Sequence, residues 1–299
     1  MNLSDLKLNT FKRGDQVAPH KPLLILLALS RLQMGEPRLL TYQELESDLK
    51  ELLTRFSNSA PNPQYPFWRL RGDMGGKLWD IPRADDLHPN KSGDVSPKDL
   101  IDLNIKAGFT SEIFDALKSD PKLLSELSQQ ILDDYFPPSL HEDIRECLGL
   151  SAEWYKSAVK RKRDPKFAKR ILELYRYSCA VCQYGARLGH APMGIEAAHI
   201  KWHSYNGPDH DTNGLALCSI HHKAFDSGAI ALSDERSILV SKSLNGPGPM
   251  EEVFYRHHGK AVILPNQSGS EPSLEYIRWH RREIFRDNII KELSDIFPI

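Results

Sequence analysis

The hydrophobic and polar positions of this 299-residue chain fall into blocks of different period. Residues 19–34 begin Pro19-His20-Lys21-Pro22 and continue as a nearly unbroken apolar string to Leu29, then Ser30-Arg31-Leu32. Such a string, with a proline in the first turn where a missing N–H costs nothing, predicts a buried helix. Thr41-Tyr42-Gln43-Glu44, followed by Leu45, Leu49, Leu52, Leu53 and Phe56, predicts a second helix with a capping-box start. Pro61, Pro63 and Pro66 predict an extended passage. It leads into an aromatic strand over Tyr65-Pro66-Phe67-Trp68-Arg69-Leu70-Arg71, in which Arg69 and Arg71 alternate with Trp68 and Leu70. Another strand is expected at Leu78-Trp79-Asp80-Ile81. Turn signals and charge fill 83–104, helical periodicity returns around 111–118 and 121–134, and Phe136-Pro137-Pro138 ends that stretch.

Residues 138–165 read as a junction, with a short helix around 140–148 and a basic run at Lys160-Arg161-Lys162-Arg163. That run suits a solvated linker face and a row of phosphate contacts equally well. Phe167, Ile171, Leu172, Leu174 and Tyr175 then predict an amphipathic helix over 166–177 that feeds Cys179. Further on, Gly246-Pro247-Gly248-Pro249 is a loop, 261–264 a short strand and 273–296 a long closing helix. The pattern as a whole predicts an α+β protein of two domains, 1–137 and 166–299, joined by 138–165. The length agrees with that division.

Composition narrows the class. Hydrophobic residues at 40% and charged residues at 26% are those of an ordinary soluble globular protein. No apolar run approaches the roughly 20 residues of a membrane span, and the start lacks a signal-peptide cleavage pattern. The expectation is a cytoplasmic protein whose four cysteines stay reduced and serve as metal ligands more readily than as disulfides. Cys147, apart from the other three, is expected to be a small buried hydrophobe. The net charge of −1 hides a distribution: residues 84–150 hold 6 basic against 14 acidic groups, while residues 1–83 (12 against 9) and 151–299 (21 against 17) are mildly basic. Charge alone does not indicate nucleic acid, whose footprint need only be local.

The chemistry concentrates between Cys179 and Asp226. Cys179-Ala-Val-Cys182 and Cys218-Ser-Ile-His221 form a C-x-x-C and a C-x-x-H, the ligand count and type of a tetrahedral zinc site with no open position for water. Interleaved with it are His199, Asn213, His222 and Asp226, a set able to activate water beside a hard cation. His222 and Asp226, four apart, share one helix face and can hold a cation together.

This stretch resembles the HNH nuclease motif, the ββα-metal finger, whose family cuts nucleic-acid phosphodiesters. The resemblance implies His199 as general base, Asn213 in an Asn-Gly turn fixing the loop that orients it, and His222 with Asp226 on catalytic Mg²⁺ or Mn²⁺. A neutral imidazole, with an unperturbed pKa of about 6.5, has suitable basicity. Many members carry an Asp or His directly before the base; here that position is Ala198, so the cation relies on His222, Asp226, phosphate oxygens and water, or on a group such as Glu196. His190, His203, His210, His257 and His258 lack such partners and are expected on loops or the surface. Trp279-His280 is similar to a closing segment that follows HNH fingers in modification-dependent enzymes, and is expected to pack.

The first half has its own resemblance. His20-Lys21-Pro22 with the apolar string that follows, and Tyr65-Pro66-Phe67-Trp68-Arg69-Leu70, are similar to the sulfur-binding domain of phosphorothioate-dependent restriction endonucleases. Those enzymes recognise duplex DNA whose backbone carries sulfur in place of a phosphate oxygen. Sulfur is larger and more weakly hydrated than oxygen, so apolar walls favour it while nearby cations hold the phosphate. Tyr65 and Pro66 are the candidate wall, with His20, Lys21, Arg69 and Arg71 as charge and hydrogen-bond donors. The expectation is a type IV restriction endonuclease acting on phosphorothioated double-stranded DNA, with structural Zn²⁺. A homodimer would give one active site per strand. Two rivals stand beside it: a nuclease directed to methylated cytosine, and a non-cleaving regulator with a purely structural finger.

Overall fold

The computed structural model describes residue 8, residues 19–150 and residues 165–287. The Lys160–Arg163 run and positions 288–296 of the expected closing helix lie outside the described residues. The chain divides into two compact units, Met1–Lys160 and Arg161–Ile299. No described helix is long and apolar enough to cross a membrane.

The first unit is built around α1 (His20–Gln33), whose residues Leu23 to Leu29 are all buried. A helix apolar on every side must be covered on every side, and its cover comes from the elements that follow. These are β1 (Leu40–Thr41), α2 (Tyr42–Phe56), α3 (Gln64–Arg69), β2 (Trp79–Asp80), α4 (Pro97–Asp102), β3 (Lys106–Phe109), α5 (Ser111–Ser119), α6 (Pro121–Tyr135) and α7 (Pro138–Leu148). Helices α2, α3, α5, α6 and α7 all pack on α1. The strands form a small antiparallel sheet ordered β1-β3-β2, with Leu40 opposite Ala107 and Trp79 opposite Phe109. Helix α2 starts at the expected capping box: Thr41 accepts from the Glu44 N–H while the Glu44 carboxylate accepts from the Thr41 N–H.

Two expectations change here. Tyr65–Arg71 is not a strand; residues 64–69 are helical and Leu70–Gly76 continues as 3₁₀ turns kinked at Asp73–Gly75. Pro63 caps α3 and Pro66 sits in its first turn, where no N–H is needed, so the prolines mark a helix start. Alternation over so few residues does not separate strand from helix. Likewise α7 is part of the first unit. It buries Leu140, His141, Ile144 and Leu148, and the Leu148 carbonyl accepts from the Ser30 hydroxyl at 2.5 Å. Cys147 on this helix is half-buried, and burial pushes its thiol up.

The second unit comprises α8 (Pro165–Leu174), β4 (Arg187–Leu188), β5 (Ala191–Pro192), β6 (Ile195–His199), β7 (Gly214–Cys218), α9 (Ser219–Asp226), β8 (Ile230–Leu232), β9 (Ile238–Val240), α10 (Met250–Val253) and α11 (Leu274–Glu283). β6 and β7 pair antiparallel, with Ile195 opposite Cys218 and His199 opposite Gly214. α9 follows directly, which makes a ββα unit. Phe167 and Ile171 of α8 pack with Leu215, Leu217 and Phe225 in the core beneath it. Residues 261–264 do not form a strand: Ala261 bridges Ser237, Val262 N–H donates to Arg236 and Ile263 N–H donates to Ala180, so the backbone changes partner within three residues. The closing helix ends at Glu283 because the chain beyond it turns to the finger, where Arg286 N–H donates to the Gly228 carbonyl at 3.0 Å.

Candidate active site and metal centre

Cys179, Cys182, Cys218 and His221 converge, and their ligand atoms all lie within 4.8 Å of one another. His221 Nδ1 is 3.6 Å from Cys179 Sγ and 3.1 Å from Cys218 Sγ; Cys182 and Cys218 sulfurs are 4.0 Å apart. Ligands around a tetrahedral zinc would be separated by about 3.5–3.8 Å, given Zn–S near 2.3 Å and Zn–N near 2.0 Å. The separations of 3.1, 3.6 and 4.0 Å bracket that spacing, and the donor set of three thiols and one imidazole is a zinc set. His221 Nε2 donates to the Val253 carbonyl at 2.8 Å. A carbonyl only accepts, so the proton is on Nε2 and the lone pair of Nδ1 faces the sulfurs, the tautomer a metal ligand requires. The thiols cannot all ionise unaided: contacts with Cys182 and Cys218 hold Cys179 far below the ordinary thiol range, and contacts with Cys179 and Cys218 push Cys182 above it. A divalent cation resolves that conflict.

The second cluster lies on the ββα face. His199, at the end of β6, stacks on Phe167 of α8 with ring centroids 4.2 Å apart, and its Nε2 donates to Asp209 Oδ1 at 2.7 Å. Asn213 is fully buried: its Oδ1 accepts from Lys201 N–H at 2.8 Å, and its Nδ2 donates to the carbonyls of Lys201 and Pro208, both at 3.0 Å. It therefore closes the loop between β6 and β7 onto itself. Asn213-Gly214 is not a hairpin turn. Gly214 has extended dihedrals (φ −125°, ψ 146°), and its missing side chain is a matter of space, because a Cβ there would overlap Ile171.

His222 on α9 lies between two carboxylates, with Nδ1 on Glu196 Oε2 at 2.6 Å and Nε2 on Asp226 Oδ2 at 3.1 Å. Burial works against its charge, but Asp226 and Glu196 outweigh it and hold the imidazole up to about 10. Glu196 is drawn down by the same contact with His222. Asp226 is buried, and its Oδ1 accepts from Trp202 Nε1 at 3.1 Å. Glu196 is 48% exposed, so a cation entering from solvent meets it first. The spacing expectation paired His222 with Asp226 as ligands. Asp226 is buried on the Nε2 side of the imidazole, and Glu196 lies on its Nδ1 side, toward solvent.

In the first unit, His20 Nε2 lies 3.1 Å from the Ser59 hydroxyl, and burial holds this imidazole low. Lys21 pairs with the buried carboxylate of Asp73. Arg69 makes a two-pronged pair with Asp94, both contacts at 2.6 Å, and its guanidinium lies 4.9 Å from the exposed Tyr65 ring. Arg71 stacks on Trp68 at 3.7 Å, and Trp68 Nε1 donates to Gly93. Pro66 is buried. Tyr65, Arg69 and Arg71 thus share a short helical corner against the Asn90–Asp94 loop, while Lys21 is tied to the 3₁₀ segment.

No short-range pattern marks Asp73, Asp94, Asp209 or Phe167 as partners, because the groups they touch lie 10 to 52 residues away, beyond the reach of helix or turn spacing. His257 is buried rather than on the surface, edge-on to His221 at 5.8 Å. Trp279 and His280 are buried, and His280 stacks on Phe225 at 3.7 Å, as expected of a packing segment.

The family model for the ScoMcrA-like DNA sulfur-binding domain matches residues 3–153, and that for an HNH endonuclease matches residues 179–233. Among solved structures, the chain is similar to the sulfur-binding domain of ScoMcrA complexed with phosphorothioated DNA (22% identity, TM-score 0.44, covering 51% of this chain and 95% of that one). It is also similar to the type IV phosphorothioation-dependent restriction endonuclease ScoMcrA (20%, 0.42, 54% and 30%). A third is the modification-dependent TagI restriction endonuclease (27%, 0.32, 45% and 42%). The chain thus spans under a third of the ScoMcrA enzyme and under half of TagI. No curated protein matches at a significant level.

Proposed function

The chain belongs to the ScoMcrA-like DNA sulfur-binding family and carries an HNH endonuclease domain, and from that premise we propose that it binds phosphorothioated duplex DNA through its first unit and cuts it with its second. The observation that carries the nuclease half is the ββα unit in which an aspartate-held histidine, His199, ends β6 while His222, between two carboxylates, projects from α9.

In this reading His199 takes a proton from water that attacks the scissile phosphorus, and Asn213 keeps the loop behind it closed. Glu196 and His222 would hold Mg²⁺ or Mn²⁺, the cation displacing the proton that His222 Nδ1 shares with Glu196 while Asp226 keeps the proton on Nε2. When bound, the cation stabilises the charge building on the phosphate and the leaving oxygen. The Cys₃His cluster carries zinc, which fixes the start of α9 relative to β6 and β7. Zinc there is structural, because all four positions are protein atoms. In the first unit Tyr65 supplies apolar surface, and Arg69 and Arg71 supply charge on a corner held by Asp94 and Trp68. Two copies acting on opposite strands would produce a double-strand break.

Gel-shift and cleavage assays on three otherwise identical duplexes, carrying phosphorothioate, 5-methylcytosine or neither, test the proposal. Preferential binding and cation-dependent cutting of the phosphorothioate duplex are expected. Preference for the methylated duplex would replace the sulfur reading with a base reader, which must flip its target at a cost of a few kcal/mol. A His199→Ala chain that binds but does not cut is expected; undiminished cutting would remove His199 as base.

A further inference from the structure

The loop between β6 and β7 is anchored by side chains from two places, Asn213 within it and Arg170 on α8. Asn213 holds the carbonyls of Lys201 and Pro208. Arg170, from α8, reaches across with Nη2 on the Asp209 carbonyl at 2.9 Å and Nε on Asp211 Oδ1 at 3.0 Å. Residues 208, 209 and 211 are thus pinned from two sides, and the side chain held between the pins is the carboxylate of Asp209. It accepts from His199 Nε2 at 2.7 Å, and the two side chains are 28% and 14% exposed. Phe167, one helical turn before Arg170, stacks flat on the same imidazole with an interplanar angle of 13°. One helix therefore sets both the plane of the His199 ring and the group at its far nitrogen.

We infer that Asp209 is a positioning residue for cleavage: by accepting the Nε2 proton of His199 it directs the basic lone pair of the ring, on Nδ1, to the attacking water. The inference rests on the proposed role of His199 as base. In the step itself the water proton passes to Nδ1, the water oxygen bonds to phosphorus, and the bond to the leaving oxygen breaks with its electrons on that oxygen, which solvent protonates. Asp209 remains a carboxylate throughout and stabilises the imidazolium that forms. It touches neither water nor phosphate, and its effect is on which nitrogen is basic and on how basic it is.

The test uses the full chain with ¹⁵N-labelled histidine and a phosphorothioated duplex, comparing wild type, Asp209→Ala, Asp209→Asn and His199→Ala. Asp209→Ala should lower the single-turnover rate by about 10–100-fold, the usual cost of losing such an outer partner. DNA affinity and the Mg²⁺ or Mn²⁺ dependence should not move. The acidic limb of its pH–rate profile should shift to lower pH, because the imidazolium has lost its counter-charge. Asp209→Asn, of the same shape and able to accept through its amide oxygen, should recover part of the rate; it also carries the test if the alanine variant does not fold. The His199 signals, found by their loss in His199→Ala, should report the Nε2–H tautomer in wild type and a mixture in Asp209→Ala. An unmoved rate and pH limb with an unchanged tautomer would overturn the inference, as would recovery of Asp209→Ala at raised cation concentration, which would make Asp209 a cation ligand. Cutting by His199→Ala at the wild-type rate would instead sink the base assignment beneath it.

Discussion

Replacing Gly214 by alanine tests whether α8 and the ββα unit are packed as tightly as the site demands. The glycine lies opposite His199 in the β6–β7 ladder. An added Cβ would overlap Ile171 Cδ1, approach its Cγ1 to 2.6 Å and Phe167 Cζ to 3.2 Å. Ile171 is fully buried and Phe167 is 3% exposed, so neither can swing into solvent. α8 must shift away, and overpacking of this kind costs about 1–3 kcal/mol. For a unit of this size that corresponds to a melting temperature lower by about 3–12 °C. The shift also carries off Phe167, the plate under the His199 ring, and misplacing a catalytic group by about 1 Å can cost about 100-fold in rate. Thermal melting gives the first quantity, and single-turnover cleavage well below the melting midpoint gives the second. Ile171→Val removes Cδ1, the nearer of the two overlapping atoms, and leaves Cγ1 to be relieved by a smaller shift, at a cost of about 0.5–1.5 kcal/mol by itself. In the Gly214→Ala background it should recover stability, a favourable coupling above about 0.5 kcal/mol. A neutral Gly214→Ala chain, or costs that simply add, would refute the packing argument.

Three further outcomes are expected. Purified protein should contain one zinc per chain, and Cys179→Ser or a strong chelator should unfold the second unit, since binding at such sites supplies about 10–16 kcal/mol; absence of zinc with no response to chelator would discard the metal centre. His280, whose pKa burial pushes down to about 4, is neutral in the fold while an unfolded histidine charges below about 6.5. Its contribution is therefore complete above pH 6.5 and lost as pH falls toward 4, by about 3 kcal/mol. His280→Phe should flatten the stability profile over that window, and a profile identical to wild type would contradict the assignment. Arg71→Ala should weaken DNA binding and reduce the slope of log affinity against log salt by about 0.9, one phosphate contact; an unchanged slope would take Arg71 off the DNA.

Local signals in the sequence were decisive wherever a neighbour a few residues away settles the structure. The capping box of α2, the buried run of α1 and the two ligand pairs of the Cys₃His cluster belong to this class, since turn chemistry and ligand spacing act over three or four positions. The pattern at 65–71 failed for the same reason: seven residues holding Pro66, with Pro63 just ahead of them, are compatible with an extended chain or a helical turn, and packing on α1 chose the helix. The basic side chains of the first unit looked alike in sequence, yet Lys21 is tied to buried Asp73, Arg69 to Asp94, and Arg71 to a tryptophan face.

Residue types and short spacings were enough to show that a zinc-type ligand set and a histidine-bearing finger share some fifty residues, because metal chemistry dictates both. It took the folded chain to set Asp226 at Nε2 of His222 and Glu196 at its Nδ1, and to bring Asp209 and Phe167 against His199. Burial and ring stacking are set by which distant segments meet, and α8, entering from upstream, is the element that brings them together.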